Sequence, residues 1–148
     1  MPKLPDSTTK TSALFRNLFQ TPNLKQFIEN NEDAMQVPAL HEYLTALCAE
    51  KSVKKEDVIR RACIERTYGH QLFNGTRNPS RDKVLQLAVG FGLNVDETQK
   101  LLQTAGKSIL YPKLKRDAAL IYCITHRFEM IETQSMLQEL SLRMLGDG

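Results

Sequence analysis

Residues 55–80 read KEDVIRRACIERTYGHQLFNGTRNPS. Val58, Ile59 and Ala62 recur at helical spacing and predict the inner face of one short helix. Ile64, Tyr68 and Leu72 repeat at every fourth position, and with Phe73 they predict the inner face of a second. The dipeptides Asn74-Gly75 and Asn78-Pro79 then punctuate the chain sharply. Two short amphipathic helices joined by a tight turn are therefore the local plan of the segment.

Working outward, Leu40, Leu44, Leu47 and Cys48 after Pro38 predict a helix that ends near Lys51 and Ser52. On the other side, Val84, Leu85, Leu87 and Ala88 predict a helix closed by Gly90-Phe91-Gly92. Asn94 with Glu97 three residues on has the form of a capping box ahead of Leu101 and Leu102. Nearer the start, Ser12 to Gln20 places Leu14/Leu18 and Phe15/Phe19 four apart. Thr21 before Pro22 reads as a cap opening a helix with Leu24, Phe27 and Ile28 on one face. The polar run Glu29 to Gln36 reads as a linker. No stretch alternates apolar and polar residues with strand-like composition, so the expected fold class is all-α.

A similarity recurs at a spacing of 35 residues. Residues 81–103 and 116–138 share Arg81/Arg116, Asp82/Asp117, Leu85/Leu120, Glu97/Glu132, Thr98/Thr133, Gln99/Gln134, Leu102/Leu137 and Gln103/Gln138. Two copies fall short of a solenoid array. They predict instead a C-terminal helical hairpin packed on the central region, because Ile121, Ile124, Leu137 and Leu140 need cover. Met136, Leu137, Leu140, Met144 and Leu145 read as one final helix whose apolar residues spread beyond a single core stripe. Three parts result: residues 1–36 as a helical arm and linker, 37–106 as the central domain, and 107–148 as the hairpin.

Composition narrows the function. The chain has 148 residues, 41% hydrophobic and 25% charged, which fits an ordinary globular protein and excludes fibrous or disordered classes. No apolar run reaches membrane length, and the polar start MPKLPDSTTK lacks an apolar segment like that of a secretory signal, so a cytoplasmic protein without membrane contact is expected. Cys48, Cys63 and Cys123 are odd in number and far apart, as suits reduced thiols. No CxxC or HxxxH spacing offers a metal site, and no cofactor motif is present. Since no nucleophile lies in a catalytic motif either, no catalytic residue is assigned and an enzyme is not expected. Residues 1–50 carry 4 Lys/Arg against 6 Asp/Glu, residues 51–83 carry 9 against 4, and residues 84–148 carry 7 against 7. The positive charge is thus concentrated around the opening stretch, where it can meet nucleic-acid phosphates.

The stretch from Lys55 to Ser80 resembles the helix-turn-helix of bacterial Cro/C1-type (XRE-family) transcriptional regulators. Glu56, Asp57 and Val58 match the family's first helix. Ile64, Tyr68, Gln71, Leu72, Asn74 and Gly75 match its recognition helix, and Thr76-Arg77-Asn78-Pro79-Ser80 matches its tail. Val84 to Ala88 and Gly92-Leu93-Asn94-Val95 resemble the family's closing segment. The resemblance implies a five-helix lambda-repressor-like domain over residues 37–106, flanked by the N-terminal arm and the C-terminal hairpin. Three positions depart from the pattern. Ile59 and Gly69 exchange the usual small and branched partners; Cys63 stands for the turn glycine, which predicts a lengthened or reshaped turn; Glu65 stands for the Ser or Thr that starts the recognition helix.

On this resemblance the protein is expected to be a sequence-specific regulator that reads the major groove of double-stranded DNA with the helix around residues 65–74. Arg66, Thr67, His70 and Gln71 are expected at base edges, Asn74 at a base or phosphate, and Lys55, Arg60, Arg77 and Arg81 at phosphates. A homodimer joined through the hairpin is expected, since relatives commonly read two half-sites. The alternative is a protein-interaction module that has kept the scaffold without DNA binding and meets a partner through the arm or the hairpin.

Overall fold

The computed structural model describes residues 11–35 and 38–146, all of it helices and turns with no strand among them. Expectations that fall on residues 1–10, 36–37 and 147–148, including the exact start of the central domain, lie outside the described residues. The chain divides into two compact units, one up to Pro38 and one from Ala39 onward.

In the first unit, α1 (Thr11–Gln20) and α2 (Leu24–Asn30) are followed by a short 3-10 turn, Asp33–Met35. The cap of α2 is Asn23 rather than Thr21. The Asn23 side-chain oxygen accepts from the Gln26 N–H at 3.2 Å, while Pro22 stays ahead of the helix. Phe27 is buried, whereas α1 has no buried residue and leaves Phe15 and Phe19 exposed.

The second unit contains α3 (Leu40–Lys51), α4 (Lys55–Arg61), α5 (Arg66–Asn74), α6 (Arg81–Phe91), α7 (Val95–Thr104), α8 (Lys115–Thr125) and α9 (Met130–Glu139). Helix α6 is its axis, packing on α4, α7 and α9, while α3 and α4 both pack on α5. Leu44, Val58, Leu72, Leu87, Leu101 and Leu137 are fully enclosed in the core. Burial of each such side chain supplies roughly 1.5–3 kcal/mol. The capping box of Asn94 and Glu97 is present, and the Glu97 carboxylate also pairs with Lys51, tying α7 to α3.

The two copies of the 35-residue similarity interlock. The Arg81 guanidinium donates to both Asp117 carboxylate oxygens at 3.0 and 2.9 Å, and Arg116 donates to both of Asp82 at 3.1 and 3.0 Å. Each arginine also anchors the tail of its own copy. Arg81 donates to the Ser108 and Ile109 carbonyls, and Arg116 to those of Arg143 and Met144. Gln99 clamps both backbone groups of Leu110, as Gln134 does those of Leu145. Residue i of one copy meets residue j of the other and the reverse, which is the contact pattern of a two-fold interface inside one chain. The boundary drawn near residue 106 is therefore crossed by two buried bidentate ion pairs. The final helix ends at Glu139 and does not run to Leu145. The tail turns back instead, burying Leu145 and donating the Gly146 N–H to Asp82 at 3.1 Å.

Candidate nucleic-acid interface

The site is built from α4, the turn after it, and α5. Helix α4 closes with the Cys63 N–H donating to the Arg60 carbonyl at 3.0 Å and the Ile64 N–H to the Ile59 carbonyl at 3.2 Å. This paired closure requires a left-handed residue after the cap, and Cys63 adopts it with φ 56°. The turn is neither lengthened nor reshaped, contrary to the expectation from the missing glycine. The cysteine takes the glycine conformation itself, at a steric cost of roughly 1–2 kcal/mol. The buried Ala62 carbonyl at the helix end would otherwise be orphaned, and the buried Gln86 amide donates to it at 2.9 Å.

Ile59 packs directly on Gly69. A Cβ at position 69 would stand 2.5 Å from Ile59 Cγ2, so the exchange of large and small partners is what lets α4 and α5 touch. Helix α5 then turns Tyr68, Gly69, Leu72 and Phe73 inward and Arg66, Thr67, His70, Gln71 and Asn74 outward. These five lie on one continuous helical face. Arg66, Thr67 and Asn74 are exposed, while His70 and Gln71 are half-buried.

Two of these side chains are already engaged. The Arg77 Nε donates to Gln71 Oε1 at 2.9 Å, and the Arg77 guanidinium lies over the Tyr68 ring at 5.7 Å. Arg77, expected only at phosphates, thus also positions Gln71, leaving the Gln71 NH2 group to donate elsewhere. The Asn74 side-chain oxygen accepts from the Thr76 N–H at 2.9 Å, which likewise leaves its NH2 free to donate. Lys55 and Arg60 are exposed, and Arg60 pairs with Asp57 at 3.1 Å in a solvent-screened contact.

Arg81 differs from the rest. Four hydrogen bonds to Asp117, Ser108 and Ile109 occupy its guanidinium, and its side chain is 24% exposed. It is a structural residue of the interlock, not a group free to meet a phosphate. Sequence reading passed over Arg61, exposed at the end of α4 beside Arg60, although it lies in the same basic stretch.

Glu65 caps α5, accepting the Thr67 and Tyr68 N–H groups at 3.0 and 2.8 Å. The Tyr68 and then the Thr67 N–H hold its carboxyl below the usual range, so a fixed negative charge stands at the N-terminus of the outward-facing helix. Among the described residues no cluster of His, Cys, Asp and Glu could hold a metal ion, and no helix is long and apolar enough to cross a membrane. No protein-family model, no curated protein and no solved structure matches the chain.

Proposed function

We propose that the protein is a sequence-specific DNA-binding transcriptional regulator of the Cro/C1 type. In this reading α3 to α7 form a lambda-repressor-like five-helix domain and α5 enters the major groove. The observation that carries the reading is the outward face of α5, where Arg66, Thr67, His70, Gln71 and Asn74 line up beside the exposed cations of α4. Arg66 pairs with guanine, Thr67 meets a thymine methyl, and Gln71, held by Arg77, donates to an acceptor on a base edge. Lys55, Arg60 and Arg77 contact phosphates, and Arg81 is left out of that set. Self-association of the chain through Tyr122, Ile131 and Leu140, all exposed on the C-terminal hairpin, belongs to the same proposal.

The test is a fluorescence-anisotropy titration of duplex DNA, using fragments recovered by genome-wide pull-down with the tagged protein. With about three phosphate contacts, log affinity should fall with log salt at a slope of roughly −3. Arg66→Ala should cost about 1–3 kcal/mol on the recovered site and relax one base pair, whereas Arg77→Ala should weaken all sequences. No binding at low salt, or a flat salt response, rejects the reading.

A second reading rests on a different observation. The exposed Phe15 and Phe19 rings of α1, 6.1 Å apart, and the fixed Glu65 charge favour a protein-interaction module. Co-purified proteins from the same pull-down, with no enriched DNA, would select it.

A further inference from the structure

Beside the α4–α5 turn lies a cleft of about 420 Å3, between the end of α4, the end of α6 and the α8–α9 turn. Its size lies within the range of small-molecule sites, about 300–1,000 Å3. The apolar lining comes from Phe91, Leu93, Ile124 and Met130, each less than 7% exposed as a residue and therefore fixed by the core behind it. The rim is basic: Arg60, Arg61 and Arg127 face a single carboxylate, Glu129. That carboxylate is already turned onto the first turn of α9, where it completes a capping box with Glu132. Arg127 spends one N–H on the Gly92 carbonyl at 2.7 Å, and Arg61 has no ion-pair partner among the described residues.

Backbone strain points to the same place. Four non-glycine residues among those described have positive φ, and two of them, Cys63 and Arg127, line this cleft. In the first copy of the hairpin the position equivalent to Arg127 is Gly92, the residue that a left-handed turn favours. An arginine kept there against that preference places a guanidinium at the cleft mouth. Strain of this kind collects at sites of function.

We propose that the cleft binds a small organic carboxylate with an unbranched apolar tail, of the class represented by medium-chain fatty acids. The tail lies on the floor of Phe91, Leu93, Ile124 and Met130, and the carboxylate meets Arg61 and Arg127. An apolar surface alone would take any lipophile; the excess of guanidinium at the rim selects an anion.

The test is titration of the full chain with decanoate below its aggregation range, followed by calorimetry and by amide NMR shifts, with decanol and acetate as comparators. Decanoate should bind saturably with shifts centred on Cys63, Gly92 and Ile131, and decanol should bind at least about tenfold more weakly. Arg127→Gly keeps the left-handed turn and Arg61→Gln keeps a polar rim. Each should weaken decanoate by about tenfold and leave decanol unchanged. No saturation by about 1 mM, shifts elsewhere in the molecule, or equal binding of decanol and decanoate would overturn the proposal. The assay contains no DNA, so its failure is distinguishable from failure of the regulator reading.

Discussion

The two hairpins of the interlock are alike where they face each other and unlike where they face outward. Both carry the Arg-Asp pair, the Gln clamp on a tail leucine, the capping box and a left-handed turn after the first helix. Thirty-five residues on, however, the fully buried Leu87 becomes the half-exposed Tyr122, Gly90 becomes the exposed Thr125, and Asp96 becomes the exposed Ile131. The difference comes from α4. Helix α6 receives it at Gly90, where a Cβ would stand 2.5 Å from the Val58 carbonyl, and Gln86 reaches its last carbonyl. On α8 no glycine is available at the equivalent place, so a helix could not approach as closely. The shared half of the pattern holds the chain together, and the unshared half decides what each hairpin can dock.

The comparison breaks most directly at the ion pairs. Asp82 and Asp117 are 6% and 4% exposed at the side chain, so removing either leaves a mostly enclosed guanidinium without its counter-charge. Asp82→Ala and Asp117→Ala should each lose about 3–5 kcal/mol in urea unfolding. If the pairs are true equivalents the two losses should agree within about 1 kcal/mol. A loss under about 1 kcal/mol for one of them would show that this pair behaves as a surface contact and that the symmetry is only geometric.

A second measurement sharpens the outward difference. Gly90→Ala drives a methyl into the Val58 backbone and should cost about 1–3 kcal/mol, although alanine is the better helix former. Thr125→Ala, on the exposed equivalent, should change stability by no more than about 0.5 kcal/mol. Thermal unfolding of the two variants checks it; equal effects would mean that α4 does not rest on α6 as described.

Much of this pattern was legible in the sequence, but not what it does. Helix positions followed from periodicity, and the 35-residue identities marked Arg81, Asp82, Gln99 and their counterparts. Identity at a spacing does not say who pairs with whom. Arg81 therefore read as one more cation of a basic stretch, while its partner lies 36 residues away. The end of α9 was missed because Leu140, Met144 and Leu145 keep a helix-like apolar spacing although a left-handed Ser141, φ 57°, separates Leu140 from the other two. The outward face of α5 was predictable because one helix carries it. The cleft was not, since its walls come from three segments that only folding brings together.

Acid provides a gentler way to separate the copies. Burial pushes the Asp82 carboxyl up, but the Arg116 guanidinium and the Gly146 N–H outweigh it and hold the group below its ordinary range. Asp82 therefore binds fewer protons folded than unfolded. Its contribution is fully present above about pH 4 and is lost as pH falls through the lower folded value. Urea unfolding against pH should show this as an acid limb below about pH 4, shallower in Asp82→Asn than in the parent chain. An unchanged limb would assign it to Glu65 and Glu97, whose carboxyls are likewise held low by backbone N–H groups.

The smallest expected effect lies at the left-handed turns that close α6 and α8. Gly92 has φ 70° with open space where a Cβ would stand, so Gly92→Ala adds backbone strain and no clash, and should cost about 1 kcal/mol. Arg127 has φ 60° and already bears that strain, so Arg127→Gly removes it. The same change deletes the hydrogen bond to the Gly92 carbonyl, an exposed contact of about 0.5 kcal/mol. The balance should be a gain of about 0.5 kcal/mol, read as a small rise in the denaturation midpoint with an unchanged slope. Opposite signs at equivalent positions would show that the arginine is held there against folding stability. A loss of about 1 kcal/mol or more in Arg127→Gly would instead make the bond to Gly92 part of what binds the two copies together.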